Sequence, residues 1–266
     1  MILLVMTSVS CAPLHAVSVE TLIEELNRSS ASVTSYPTSI DSDLPKVYSA
    51  EMQAVEGAWL TKEQSLGSLS KSAKREQKNQ FFQAEADKAN APVLEWTSRF
   101  GAASSKADEY RTVARKTLME VSKHPVASVS RTYTRSQGLE IGYCFGRALL
   151  VHHALLKAGI PQHDMFKIFA LGELMMEGQM WNFHVAVGVR DRKHGALIID
   201  PLHNKILPVT RWIKETRVYD IKHPYSRTRF YVTDPRKFLP AFGMYHPDQL
   251  ADPLLKDYFE ALSRTR

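Results

Sequence analysis

The rhythm of apolar and polar positions changes near residue 144. Upstream, apolar residues are sparse and spaced for helices. Tyr110, Val113, Ala114, Leu118 and Val121 recur at three- and four-residue intervals and predict an amphipathic helix over 105–123, stopped by Pro125. The chain from 47 to about 83 is polar and helix-compatible. The stretch "SLSKSAKREQKNQFFQAEADKANAP" presents a basic, then mixed-charge face and is expected to be a solvated helix ending at Pro92. Ser, Thr and Pro crowd residues 29–42, which predicts a loop or linker. No repeat period is visible.

Downstream, an apolar helix starts at Cys144 and runs to Gly159, a fitting C′ residue, with Pro161 just beyond. Strand patterns follow: "FKIFAL" from Phe166, "WNFHVAVGV" from Trp181, "ALIID" from Ala196 and "RFYVT" from Arg229. A terminal helix is expected over 250–262. A helix followed by a run of strands predicts an α+β fold with a largely antiparallel sheet and a helical N-terminal region.

Alternation then places one histidine. Trp181, Phe183, Val185, Val187 and Val189 lie on one face of their strand, and Asn182, His184, Ala186 and Gly188 on the other. His184 thus stands among small residues. "DRKHG" joins this strand to the next as a hairpin. A hairpin symmetric about residue 192 sets His184 opposite Asp200, where a carboxylate can hold the imidazole tautomer. A slip of one residue separates the two.

Composition narrows the class. The 266 residues are 44% hydrophobic and 23% charged, which excludes wholesale disorder and a polytopic membrane protein. Net charge is +6, but Lys and Arg are scattered and no nucleic-acid motif is present. The start, "MILLVMTSVSCAPLHAVSVE", reads as a secretory leader over residues 1–16, cleaved after Ala12 or Ala16. It lacks a basic residue before the apolar run, and that run is too short to span a bilayer. Lipidation at Cys11 is an alternative. The expectation is a secreted or periplasmic protein with no stable membrane insertion. Leader removal leaves Cys144 as the one cysteine, so no internal disulfide forms.

That thiol stands at a predicted helix start. Free N–H groups and the helix dipole there favour a thiolate, as does a neighbouring imidazolium. The same N–H groups can hold an oxyanion. Cys144, His184 and Asp200 therefore form a candidate thiol triad of papain-like order. Each also has a plainer reading: a buried cysteine, a core histidine, an aspartate starting a turn. His152 and His153 diverge around their helix and are read as packing or surface residues. No metal-binding or nucleotide motif appears, so no cofactor is expected.

"GYCFGRALLVHHALLKAG", "WNFHVAVGV", "IIDPLHNKILPVTRW" and "RFYVTDP" resemble the bacterial protein-glutaminases (protein-glutamine deamidases) over roughly residues 109–235. The shared pattern is Cys-x-x-Arg-Ala, Trp-x-aromatic-His-Val-Ala, then Ile-Asp-Pro before Pro-Val-Thr. The resemblance implies a papain- or transglutaminase-like fold. It implies Cys144 as nucleophile, His184 as acid/base and Asp200 as orienter. It also implies an N-terminal prosegment, here 17–100, ahead of a catalytic domain over 101–266. Two departures stand out. The family is disulfide-rich and this chain is not. The N-terminal region carries no family motif, so a substrate-recruiting helical region is the alternative.

Tyr143, Met180 and Trp181 are candidate substrate contacts, with Trp181 also read as core or cleft wall. "LGELMMEGQMW" is Met-rich and reads as an adaptable rim or as an ordinary connection. The expected activity is hydrolysis of glutamine side-chain amides in protein substrates. A peptidase or transglutaminase on the same triad is one rival, and a binding module with an inert Cys144 is another.

Overall fold

In the computed structural model, residues 18–28, 35–101, 107–128, 133–134, 140–141, 144–176, 178–246 and 253–264 are described. Residues 1–17, which include the segment expected to be a leader, and Tyr143 lie outside them. Four helices come first: α1 (Val19–Asn27), α2 (Leu44–Ser65), α3 (Lys71–Phe100) and α4 (Ala107–Lys123). Two short strands, β1 (Tyr133–Thr134) and β2 (Glu140–Ile141), pair with each other. Then come α5 (Cys144–Lys157), β3 (Met165–Met176), β4 (Gln179–Asp191), β5 (Gly195–Asp200) and β6 (Lys205–Pro208). Last are α6 (Val209–Arg217), β7 (Arg229–Thr233) and α7 (Pro253–Arg264). The main sheet has the order β6-β5-β4-β3-β7, and every pairing in it is antiparallel. The class is α+β.

One apolar cluster joins the sheet to helices from both ends of the chain, from Leu22 and Leu26 of α1 to Tyr258 and Phe259 of α7. α5 packs against β4, with α4 beside both. Its end is a Schellman turn: Ile160 N–H donates to Leu155 O and Gly159 N–H to Leu156 O, with Gly159 at φ +83°.

α3 differs from its sequence expectation twice. It runs through Pro92 to Phe100, and it is not simply solvated. Phe82, Ala86, Asn90, Val93, Thr97 and Phe100 are buried along one stripe. Proline inside a helix costs about 3 kcal/mol. Burial past the proline offsets it: Phe100 stacks on Trp96 at 4.6 Å and meets Phe166 of β3 edge-on at 5.3 Å, each ring contributing about 1.5–3 kcal/mol. Asn90 adds two bonds to the edge strand, donating to Thr228 O and accepting from Phe230 N–H. Polar residues within this stripe hid it from an apolar count.

The β4–β5 hairpin also differs from expectation. Asp191 pairs with Gly195, Val189 with Leu197 and Val187 with Ile199, so the symmetry point is residue 193 rather than 192. The loop holds Arg192, Lys193 and His194. Gly195 at φ +73° closes it, and His194 N–H donates to the Asp191 carboxylate. His184 and Asp200 are therefore diagonal neighbours, not direct opposites. The shift is two residues, so both keep the same face.

Candidate functional site: a buried Cys-His-Asp cluster

Cys144 is the first residue of α5, and the thiol is buried at 2% exposure. His184 of β4 and Asp200, the last residue of β5, are exposed by 0% and 1%. His184 Nε2 lies 2.7 Å from Asp200 Oδ2. Trp212 of α6 donates its indole N–H to the same oxygen at 2.7 Å, and Leu202 N–H donates to Oδ1 at 3.0 Å. Asp200 is thus clamped through both oxygens. Its carboxyl is held well below the usual range: burial opposes ionisation, but the His184 imidazolium and the donated hydrogen bonds outweigh burial.

An ionised carboxylate only accepts, so the Nε2 proton of His184 belongs to the bond with Asp200. Nδ1 is left on the other side of the ring, buried and without a hydrogen-bond partner among the described residues. Burial would lower the His184 pKa; the Asp200 carboxylate, and then the adjacent Cys144 thiol, push it up to about 9. The nitrogen free for proton exchange is thus the one on the side away from Asp200, and the sulfur stands close enough to perturb the ring.

Aromatic rings enclose the imidazole. Trp212 stacks on it at 6.0 Å and 27°, and Trp181 lies tilted at 6.2 Å. Trp181 is at the border of burial, 9% exposed, and forms a wall of the site. Met180, the residue before it, is half exposed near the β3–β4 turn and paired across the strands with Met175. A cavity of about 480 Å³ opens beside the same strand, lined by Pro45, Tyr48, Leu171, Asn182, Phe183 and Phe242.

Two residues were not singled out from the sequence. Trp212 lay on a readable stripe, because Val209, Trp212, Ile213 and Thr216 are the buried face of α6. His203 carried no signal. Its Nε2 lies 3.8 Å from Asp200 Oδ2 and its Nδ1 3.6 Å from Glu215, which in turn bonds Arg211 at 2.7 Å. Burial lowers the His203 pKa against the pull of Asp200.

His152 and His153 stay apart from the cluster. His152 is fully buried, its pKa pushed well below 6.5 by burial, and its ring lies against Tyr245. His153 bonds Glu25 of α1 at 2.7 Å. Among the described residues no group of His, Cys, Asp and Glu is arranged to hold a metal ion. No described helix is long and apolar enough to cross a membrane.

No protein-family model, curated protein or solved structure matches this chain.

Proposed function

We propose that the chain is a cysteine-dependent amidohydrolase that deamidates glutamine side chains in proteins, on a papain- or transglutaminase-like catalytic core. One observation carries the reading. Asp200 holds one nitrogen of a buried imidazole at 2.7 Å, while the thiol at the start of α5 perturbs the same ring. The choice of glutamine rests on the resemblance of Cys144-x-x-Arg147-Ala148, Trp181-x-Phe183-His184-Val185-Ala186 and Ile199-Asp200-Pro201 to the protein-glutaminases.

The sulfur of Cys144 attacks the carboxamide carbon, and His184 Nδ1 carries the proton exchanged with sulfur. The tetrahedral oxyanion is met by N–H groups at the start of α5. His184 protonates the departing ammonia, leaving a thioester. Water, deprotonated by the same nitrogen, then releases glutamate. Asp200 keeps the ring oriented and stabilises its protonated form without exchanging a proton. Acting on a protein side chain requires the buried thiol to become accessible, so this arrangement is a closed form. A secreted or periplasmic location belongs to the same proposal.

The test is ammonia release from an unfolded protein substrate, with mass analysis of Gln-to-Glu conversion. It is run on the chain before and after limited proteolysis, with Cys144→Ala as control. Conversion lost in the variant, with intact peptide bonds and no cross-links, supports deamidation. Cut or cross-linked products would reassign the triad to peptidase or transglutaminase chemistry. Absence of any product, with Cys144 inert to alkylation in both forms, would leave a binding module.

A further inference from the structure

On the far side of β5 from the triad strand, α4, the edge strand β6 and the start of α6 enclose a cavity of about 600 Å³, a size suited to a small organic ligand. Among the described residues its charged lining is one-signed: Arg111, Arg115, Lys205 and Arg211 contribute cations, and no Asp or Glu lines it. Two of these cations are already neutralised. Arg111 bonds both Asp191 oxygens at 2.8 and 3.0 Å, and Arg211 bonds Glu215 at 2.7 Å. The Arg115 and Lys205 side chains have no ion pair or hydrogen bond among the described residues, and both residues are exposed.

Two further features point to the same kind of ligand. Leu118, Leu197, Ile206 and Leu207 give the cavity an apolar floor. Pro208 and Arg211 of the lining are the N-cap and a first-turn residue of α6, a nine-residue helix whose N-terminal N–H groups receive no side-chain cap.

We propose that this cavity binds a small molecule with a phosphate monoester on an apolar or aromatic body. A phosphate monoester carries about −1.5 to −2 near neutral pH, and two cations have no direct partner among the described residues, Lys205 acting on Glu215 only at longer range. A polyanion such as nucleic acid needs a track of unpaired cations, which this lining does not supply. The floor takes the body, while Arg115, Lys205 and the α6 N–H groups take the phosphate oxygens. The site adjoins the triad's support: Arg211 grips Glu215, Glu215 faces His203, and His203 faces Asp200.

Isothermal titration of the full chain with phenyl phosphate tests this, with inorganic phosphate and phenol as part-ligands. The expected result is saturable binding of phenyl phosphate, with each part-ligand about tenfold weaker or more. Arg115→Glu and Lys205→Glu should each weaken phenyl phosphate about tenfold or more at an unchanged unfolding midpoint, since neither side chain supports the fold. Absence of saturable binding at millimolar ligand overturns the proposal. So does equal affinity in the charge-reversed variants, or binding of acidic peptides in place of phenyl phosphate. Binding is read directly, so the outcome is separate from whether the chain deamidates anything.

Discussion

Trp212 and His184 meet on a single oxygen of Asp200, each at 2.7 Å, and their rings stack at 6.0 Å. One indole therefore fixes the carboxylate and covers the imidazole that the carboxylate orients. Trp212→Phe keeps a ring in place and deletes the N–H. A hydrogen bond to a buried charge contributes about 1.5–3 kcal/mol, so the proposed deamidation, read in the ammonia assay, should fall about ten- to a hundredfold. An unchanged rate would show that Leu202 N–H and packing suffice to hold Asp200.

The His184–Asp200 pair gives stability a defined pH dependence. The folded pKa of His184, about 9, lies above its ordinary 6.5. The native state thus binds the proton more tightly, and this contribution is fully present below 6.5 and is lost as pH rises through about 9. On the acid side the pair persists until the depressed Asp200 carboxyl is protonated. Lys237, lowered by burial to about 8, titrates with the opposite sign in the alkaline range. The measurement is therefore a difference: unfolding free energy of the parent minus that of His184→Gln, from pH 6 to 10. It should shrink as pH rises; a flat difference would mean the pair does not carry its charge.

Lys237 joins distant parts of the chain. Its ammonium donates to Ile40 O, Ser42 O and Phe242 O, each at 2.8 Å, fastening the segment before α2 to the loop after β7. Leu44 N–H donates to Pro240 O alongside. Lys237→Met leaves three carbonyls without this donor and should destabilise the fold by about 1–3 kcal/mol. Proteolytic sensitivity should rise first around residues 35–43. Denaturant unfolding and limited proteolysis read the two effects.

Arg147 lies one helical turn after Cys144 and is 2% exposed, with Nε and both Nη atoms lacking partners among the described residues. A buried, unpaired guanidinium is expensive, and an apolar residue of similar length removes that expense. Arg147→Met should raise the unfolding midpoint, in a direction unusual for a core substitution. A lowered midpoint would show that the guanidinium has a counter-charge that the folded chain requires.

Much of the site was legible because strand and helix periods are local. Alternation put His184 on the face with Ala186 and Gly188, and the apolar helix pattern put Cys144 at its start. The hairpin prediction kept His184 and Asp200 on one face although its pairing was off by two, because side-chain direction repeats every second residue. Helix stops were less legible. Pro92 is a local breaker, but the rings of Trp96, Phe100 and Phe166 outweigh it through contacts that no local pattern contains.

The sequence alone determined the α+β class, the strand that carries His184, the helix that begins at Cys144 and the glycine that ends it. Each follows from periodicity or from the conformational preference of one residue. Tertiary structure decided the rest: that Trp212 shares an oxygen with His184, that His203 backs Asp200, and that Arg115 and Lys205 line one cavity without an ion-pair partner among the described residues. Those relations join residues from separate elements. They arise from how the sheet and helices pack around one core, which a one-dimensional pattern does not encode.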